Sequence, residues 1–215
     1  MNRTLIAATA LAAAFALPAL ALTAEEEARI DASSTPAAGE PTLAEMRAGA
    51  ARFADVNVAL AEGYIPDPSG MCETGDALGA GQEGGMGIHY FRPDLLGISA
   101  PPNPRVDGNG THTDFAAPAI LLYEPQADGS LVLVGVENLV FQKAWQEAGH
   151  AEAPSLHGSA WEAMADDAAT DADEAHGFAP HYDKHVWLFR ENPNGVFTQF
   201  NPNVSCEHGA QHAHN

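Results

Sequence analysis

The sequence has little positive charge. Nine lysines and arginines stand against 29 aspartates and glutamates, which gives a formal net charge of −20, and Lys143 and Lys184 are the only lysines. Binding to nucleic acid or to an anionic membrane surface needs clustered cations, so the composition disfavours both classes of partner. A charge of this sign keeps a chain soluble and attracts cations.

Cysteine is also scarce, with Cys72 and Cys206 as the only two. There is no C-x-x-C pair, and an isolated pair in an exported chain indicates a disulfide. That bond would close a loop of more than a hundred residues and contribute on the order of 4–5 kcal/mol in the chain-entropy model. A reactive or metal-binding thiol is the alternative.

A long apolar run occurs only at the N-terminus. Residues 1–21 have one early positive charge, an apolar stretch and an Ala-Leu-Ala end, which is the form of a secretory signal peptide. The stretch is short for a membrane span, and acidic residues follow it at once. We therefore expect export to the periplasm or the extracellular space, with no membrane contact after cleavage.

Motifs for nucleotides and for nucleophilic catalysis are absent. The glycine-rich connector at residues 64–87 contains no G-K-[ST] signature and leads into a predicted strand, so we expect no nucleotide cofactor. No G-x-S-x-G sequence occurs. The sequence motifs therefore assign neither a reaction nor a small-molecule or protein partner.

The first part of the mature chain divides into two segments. Residues 22–41 are rich in Ala, Glu, Ser, Thr and Pro without an apolar period, which predicts a disordered leader. Residues 42–62 show helical spacing of apolar residues after a Thr42–Glu45 capping box, which predicts one long helix. Gly63 then marks its end.

The rest of the chain has the patterns of strands. A short strand is predicted at residues 86–93, and a hairpin with strands at 119–123 and 131–141. The second strand of this hairpin is apolar on both faces, which is typical of a central strand. A second hairpin is predicted over residues 185–202, around Pro-Asn-Gly.

These elements predict one α+β domain at residues 42–206, with an antiparallel β-sheet or small barrel packed on the long N-terminal helix. Residues 142–180 form an irregular excursion with one or two short helices. Residues 207–215 are a His-rich tail, whose histidines we expect to bind transition metals loosely at most.

Three ionisable side chains interrupt predicted apolar strands: His89, Glu137 and His185. An unpaired carboxylate in the position of Glu137 would cost on the order of several kcal/mol, so it needs a cation, a metal, strong donors or a proton. Two neutral imidazoles and a carboxylate suit zinc, iron, manganese or copper. The pattern supports the hypothesis of a divalent transition-metal site in the sheet.

Other interpretations stay open. Glu137 can pair with an arginine while each histidine bonds to a backbone carbonyl, and Asn138 can be the inward residue instead because the register is not fixed by sequence. Without a metal, the chain can be a binding module with an aromatic pocket of Tyr90, Trp187 and Phe189. It can also be an enzyme that uses Glu137 and a histidine as an acid–base pair.

A second polar stretch, "HGFAPHYDKH" at residues 176–185, places His181 and Asp183 just before His185. Pro180 argues against a helix, so the stretch is predicted to be a polar loop that leads into a strand. In that loop Asp183 can orient a histidine through a hydrogen bond.

Four segments in order, containing MGIHY, PAILLYEP, LVGVEN and "HVWLFRENPNGVFTQFNPNVSC", resemble a group of exported bacterial proteins. The resemblance covers about residues 43–206. It implies an exported location and a shared core to which residues 142–180 and the His-rich tail are peripheral. No established activity accompanies the group, so it assigns no role to any residue.

Overall fold

The structure is a computed structural model that describes residues 22–76, 78–79, 81–98, 108–166, 169, 175 and 177–210. The predicted signal peptide, residues 1–21, and the last five residues of the predicted tail lie outside the described residues. Over the described ranges, no helix combines the length and the apolar character that crossing a bilayer requires.

The described chain contains short helices and mostly short strands. The α-helices are α1 (Ala24–Asp31), α2 (Leu43–Ala50), α3 (Val56–Ala61), α4 (Pro93–Leu96) and α5 (Gln142–Glu147). The strands are β1 (Ile65–Pro66), β2 (Glu73–Thr74), β3 (Gly85–Phe91), β4 (Ile120–Pro125), β5 (Leu131–Phe141), β6 (Ser155–Leu156), β7 (Ser159–Ala160), β8 (Glu162–Met164) and β9 (His181–Val186).

One antiparallel sheet dominates the fold. Its strand order is β1-β3-β4-β5-β9-β8, with β2 also paired to β3, while β6 and β7 form a separate hairpin. The predicted hairpin around residues 118–141 is confirmed as β4 and β5, and most of β5 is buried, as its continuous apolar run predicted. The sheet is open, with the short strands β1 and β8 at its two edges, so the barrel alternative is wrong.

The sheet is covered on both faces. One face packs against the helices and forms the helix-side cluster, which includes Leu43, Met46, Phe53, Leu121, Val136, Val140 and Val186. The opposite face packs against α4 and loops and forms the loop-side cluster, which includes Phe91, Leu96, Ile120, Leu122, Leu139, Phe141, Phe178 and Trp187. Burial on both faces makes β5 the structural centre of the domain.

The long helix predicted over residues 42–62 is wrong. The predicted capping box is present at its start, but α2 ends at Ala50, and a 3₁₀ turn at Ala51–Ala54 follows. Asp55 then adopts an extended conformation, and its side chain accepts a hydrogen bond from the Asn57 backbone N–H. Asp55 is thus the N-cap of a new helix, α3, so a local cap overrides the apolar period.

The disorder predicted for residues 22–41 is wrong for the part that forms α1. Thr23 and Glu26 make a reciprocal capping box at its start, and Ile30 is buried in the helix-side cluster. The capping box satisfies backbone N–H groups that have no partner within the helix, and Ile30 anchors its last turn to the domain.

The excursion at residues 142–180 holds α5 and the strands β6, β7 and β8 in its described part, which is more strand than predicted. The hairpin predicted over residues 185–202 is wrong, because β9 begins at His181 and ends at Val186, and no second strand follows among the described residues. Instead, the amide of Asn192 donates to the Phe200 carbonyl and holds a loop.

The predicted disulfide between Cys72 and Cys206 is confirmed. The two residues are 134 positions apart in sequence, and their Cα atoms lie 5.4 Å apart. The bond ties the connector after β1 to the C-terminal segment, where the Ala210 carbonyl also accepts a hydrogen bond from the Cys72 N–H. The C-terminal segment is therefore fixed to the domain as far as residue 210.

Candidate metal centre

Neighbouring strands bring His89, Glu137 and His185 to one face of the sheet. Glu137 on β5 is the direct ladder partner of His185 on β9 and, on its other side, of Ile120 on β4. His89 on β3 pairs with Leu122, two residues from Ile120 on β4. Side chains two residues apart on a strand share a face, so His89 reaches Glu137 diagonally across β4.

The three side chains converge on one oxygen atom. Glu137 Oε2 lies 3.3 Å from His89 Nε2 and 3.4 Å from His185 Nε2. One ligand atom from each residue lies within 4.8 Å of the other two. These distances place the three groups close enough to hold one metal ion.

At 3.3 and 3.4 Å, the two contacts of Glu137 Oε2 with the histidine nitrogens do not meet the geometry of hydrogen bonds. Within the described part of the chain, Glu137 Oε2 and His185 Nε2 are buried atoms without a hydrogen-bond partner. The Glu137 side chain is only 5% exposed and that of His185 only 2%. Each such atom costs on the order of 1–3 kcal/mol when nothing replaces its lost water.

A small cavity adjoins these atoms. It offers about 20 Å³ to the centres of water-sized molecules, which is room for little more than a single water or a small ion. Its ionisable lining consists of Asp67, Glu73, His89, Glu137, His181, Asp183 and His185, with no lysine or arginine among the described residues. The described lining is therefore rich in nitrogen and oxygen atoms that can serve as metal ligands.

The three groups titrate differently. Burial acts to lower the pKa of His89, but the Glu137 carboxylate outweighs it and raises that pKa above 6.5. Burial dominates at His185 and lowers its pKa to about 4. Burial acts to raise the pKa of Glu137, but the two histidines outweigh it and hold that pKa below its usual value. At neutral pH His185 is therefore a neutral imidazole with one unprotonated ring nitrogen, and it lies beside the anionic carboxylate of Glu137.

Two residues of the cavity come from a segment predicted to be a loop. His181 and Asp183 belong to β9, and because they precede His185 by four and two residues they share its face. Both are buried, at 1% and 2% exposure. The alternation His-x-Asp-x-His was the signal for a strand here, but Pro180 and the polar character of these three alternating positions favoured a loop.

The structure separates the other predicted site residues. Asn138 points away from Glu137, and its Oδ1 accepts a hydrogen bond from the Ala119 N–H at 2.7 Å. Tyr90 and Phe189 pack on the helix-side cluster, whereas Trp187 belongs to the loop-side cluster. The three aromatic residues therefore lie on opposite faces of the sheet and do not line a common pocket.

Of the arginines that could neutralise Glu137, Arg105 lies outside the described residues, and Arg92 and Arg190 have other partners. Arg92 Nη2 lies 2.6 Å from Asp94, and Arg190 pairs with the buried Glu124. Lys184, adjacent in sequence to His185, points the other way and lies 2.8 Å from Glu162. Among the described residues, the groups that act to lower the pKa of Glu137 are the imidazoles of His185, His89 and His181.

Neither a family model, nor a curated protein, nor a solved structure matches the chain. A function is therefore inferred from the site alone.

Proposed function

We propose that the chain is an exported metal-binding protein that holds one divalent transition-metal ion through His89, Glu137 and His185. The observation that carries this proposal is the pair of 3.3 and 3.4 Å distances from Glu137 Oε2 to the two histidine nitrogens. With metal–ligand bonds of about 2.0–2.1 Å, neighbouring ligands of a tetrahedral ion lie about 3.3–3.4 Å apart. The two spacings fit that geometry.

The electrostatics support the same conclusion. Glu137 is buried in a cavity whose described lining has no lysine or arginine. A buried carboxylate without a cation costs several kcal/mol, and removing its partner from a buried pair costs about 3–5 kcal/mol. A divalent ion would neutralise Glu137 and at the same time give His185 Nε2 a partner.

The ligand set narrows the choice of metal. Two imidazoles and one carboxylate suit zinc, iron, manganese or copper, and three protein ligands are typical of sites that keep an open coordination position. That position would face the small cavity, where a single water has room. Catalysis on a small substrate is compatible with this arrangement, which differs from the closed, four-ligand arrangement of structural zinc sites.

The disulfide supports the exported part of the proposal, since such bonds persist in oxidising compartments such as the periplasm or the extracellular space. The metal-free binding module loses support, because its aromatic residues do not line one pocket. A metal-free acid–base enzyme remains the second candidate, since Glu137 contacts both histidines.

Elemental analysis tests the proposal. The parent for the test is the full chain, purified without an affinity tag, in which the tail residues His208, His212 and His214 are replaced by Asn. We expect about one equivalent of a transition metal in this parent and little in its Glu137→Gln variant. Glu83→Gln is the matched control, because Glu83 is an exposed carboxylate that does not line the cavity.

Chelation gives a second measure. An ion at about 100 times its Kd stabilises the folded state by about 2.7 kcal/mol, which corresponds to a Tm shift of roughly 5–10 °C in a domain of this size. Parent protein without metal, and with a Tm that neither chelator nor added metal changes, would refute the proposal. Loss of an activity in metal-free Glu137→Gln protein would then favour the acid–base enzyme.

A further inference from the structure

A second carboxyl group that lines the cavity has an oxygen without a partner. The Asp183 side chain is 3% exposed, and its Oδ1 is a buried atom without a hydrogen-bond partner in the described part of the chain. An unsatisfied buried oxygen is costly, so it indicates a donor that comes from outside the chain, such as a bound water or ligand.

This oxygen can accept a hydrogen bond in either protonation state of Asp183. Burial and the carboxylate of Glu137 raise the pKa of Asp183 in the metal-free chain. A carboxyl group nevertheless keeps an acceptor oxygen when it is protonated. A divalent ion nearby favours the ionised form, in which both oxygens accept. The missing partner of Oδ1 is therefore a hydrogen-bond donor.

The sheet places Asp183 next to the metal centre but outside it. Asp183 and His185 are at i and i+2 on β9, so their side chains share a face. Across the ladder Asp183 pairs with Leu139, which is two residues beyond Glu137 on β5. Asp183 and Glu137 are thus diagonal neighbours, which lie about 7–8 Å apart in a sheet. Accordingly, Asp183 does not belong to the three-residue group that could hold the ion.

The cavity provides room for one molecule between the ion and Asp183. Its space of about 20 Å³ for the centres of water-sized molecules admits a single water. Glu137, His185 and Asp183 all line it. A buried water needs at least two polar partners, and the proposed ion and Asp183 Oδ1 supply two.

We infer that Asp183 determines which molecule fills the open coordination position of the proposed ion. Its Oδ1 accepts a hydrogen bond from a water, or from a ligand of that size whose ligating atom carries a hydrogen. This inference rests on the proposed function, because it needs the ion in place. An anion without a hydrogen leaves Oδ1 unpaired and is repelled by the carboxylate, so the site discriminates against it.

Fluoride tests this inference, because the anion is about as large as water but carries no hydrogen. The parent is the full chain with His208, His212 and His214 replaced by Asn, loaded with cobalt(II), whose visible absorption spectrum reports a change of ligand. We expect one cobalt ion per chain in the parent and in Asp183→Asn. The fluoride Kd should be at least about tenfold lower in the variant, because Asn removes the charge and its amide can donate to fluoride.

The matched control is Asp128→Asn. Asp128 lies in an exposed turn, where Asn can still accept the hydrogen bond from the Ser130 N–H, and we expect the fluoride Kd of the parent. Crystals of the zinc-loaded parent give a reading without any substitution at the site. In them we expect the fourth ligand of the zinc ion within about 3.0 Å of Asp183 Oδ1.

The outcomes separate the two proposals. An equal fluoride Kd in the parent and Asp183→Asn, or no fluoride binding in either, would overturn the role of Asp183 and leave the metal centre standing. Loss of cobalt from folded Asp183→Asn would also overturn it, because Asp183 would then be a ligand of the ion. If this variant does not fold, the zinc-loaded crystals decide, and the absence of a fourth ligand within about 3.5 Å of Oδ1 overturns the inference. A parent that binds no cobalt would refute the proposed function itself.

Discussion

Glu137 and His185 are direct partners across the ladder between β5 and β9, and their side chains approach to 3.4 Å without forming a hydrogen bond. A carboxylate and an imidazole buried this close would ordinarily turn until a hydrogen bond formed, because an unsatisfied buried group is costly. Instead both groups point to a common position with His89. The proposed metal centre requires this relationship of two ligands of one ion.

Replacing Glu137 with methionine separates fold from function. Removing one member of a buried pair is costly while the other keeps its charge, but above the raised pKa of His89 the neighbouring histidines are neutral and only a desolvated carboxylate is lost. In chelator at pH 9, we expect Glu137→Met to have a free energy of unfolding equal to that of the parent or about 1–2 kcal/mol higher, measured by urea denaturation. Zinc should no longer raise its Tm. A loss of more than about 3 kcal/mol in chelator would show that Glu137 is needed for the fold itself.

Metal affinity should fall as the pH falls. The Glu137 carboxylate raises the pKa of His89 above 6.5, so a proton competes for Nε2 already near neutral pH. Below that pKa, we expect the Kd for zinc to rise about tenfold per pH unit for each proton displaced. Competition titrations at pH 8, 7 and 6 measure this. An affinity that is constant or rises on acidification contradicts the assignment of His89 as a ligand.

The same pKa shift predicts the stability of the metal-free protein. Because the folded-state pKa of His89 is raised, the stabilisation it contributes is complete below the unfolded pKa of about 6.5 and is lost as the pH rises through the folded value. In chelator, the difference in unfolding free energy between parent and His89→Gln should therefore shrink from pH 6.5 to pH 9. A difference in unfolding free energy that grows over this range would contradict the raised pKa of His89 in the folded state.

The disulfide should be a major source of stability. In the chain-entropy model, a bond that closes a loop across 134 positions contributes up to about 5 kcal/mol. We expect reductant to lower the urea midpoint of the parent, while a Cys72→Ser/Cys206→Ser double variant matches the reduced parent and ignores reductant. A midpoint that stays unchanged when both thiols are shown to be free would contradict this.

The break between α2 and α3 depends on Asp55. Its side chain accepts a hydrogen bond at 3.0 Å from the Asn57 N–H. Loss of such a cap costs about 1 kcal/mol, so Asp55→Ala should lower the free energy of unfolding by about that amount, and Asp55→Ser should restore most of it. If Asp55→Ala increased stability, the residues would prefer the continuous helix that the apolar period predicts.

Some of the site could be predicted from the sequence because burial and charge conflict there. Nearly all the residues around Glu137 in the run at 131–141 are apolar, which predicts a central strand. The one carboxylate in this run therefore stands out as a candidate site residue. His89 interrupts a second apolar strand in the same way. The predicted signal peptide indicates an oxidising compartment, and with only two cysteines in the chain Cys72–Cys206 is the single intramolecular disulfide that can form.

The positions of His181, Asp183 and the three aromatic residues depend on contacts between distant parts of the chain, which the sequence does not show. His181 and Asp183 lie in a strand whose inward side chains are polar, so the usual apolar alternation is missing and the segment was predicted to be a loop. Tyr90, Trp187 and Phe189 look alike as aromatic residues, but Trp187 and Phe189 lie beyond the end of β9 at Val186, where the alternation of a strand no longer holds, and they pack on different clusters. Where β9 begins and ends is thus decided by pairing across the sheet, which the sequence does not display.

The most direct test of the metal centre is anomalous diffraction from crystals of zinc-loaded protein, recorded on both sides of the zinc absorption edge. We predict a peak at about 2.0–2.2 Å from Glu137 Oε2 and from the Nε2 atoms of His89 and His185. Ordered side chains at these three residues with no anomalous peak between them would contradict the account.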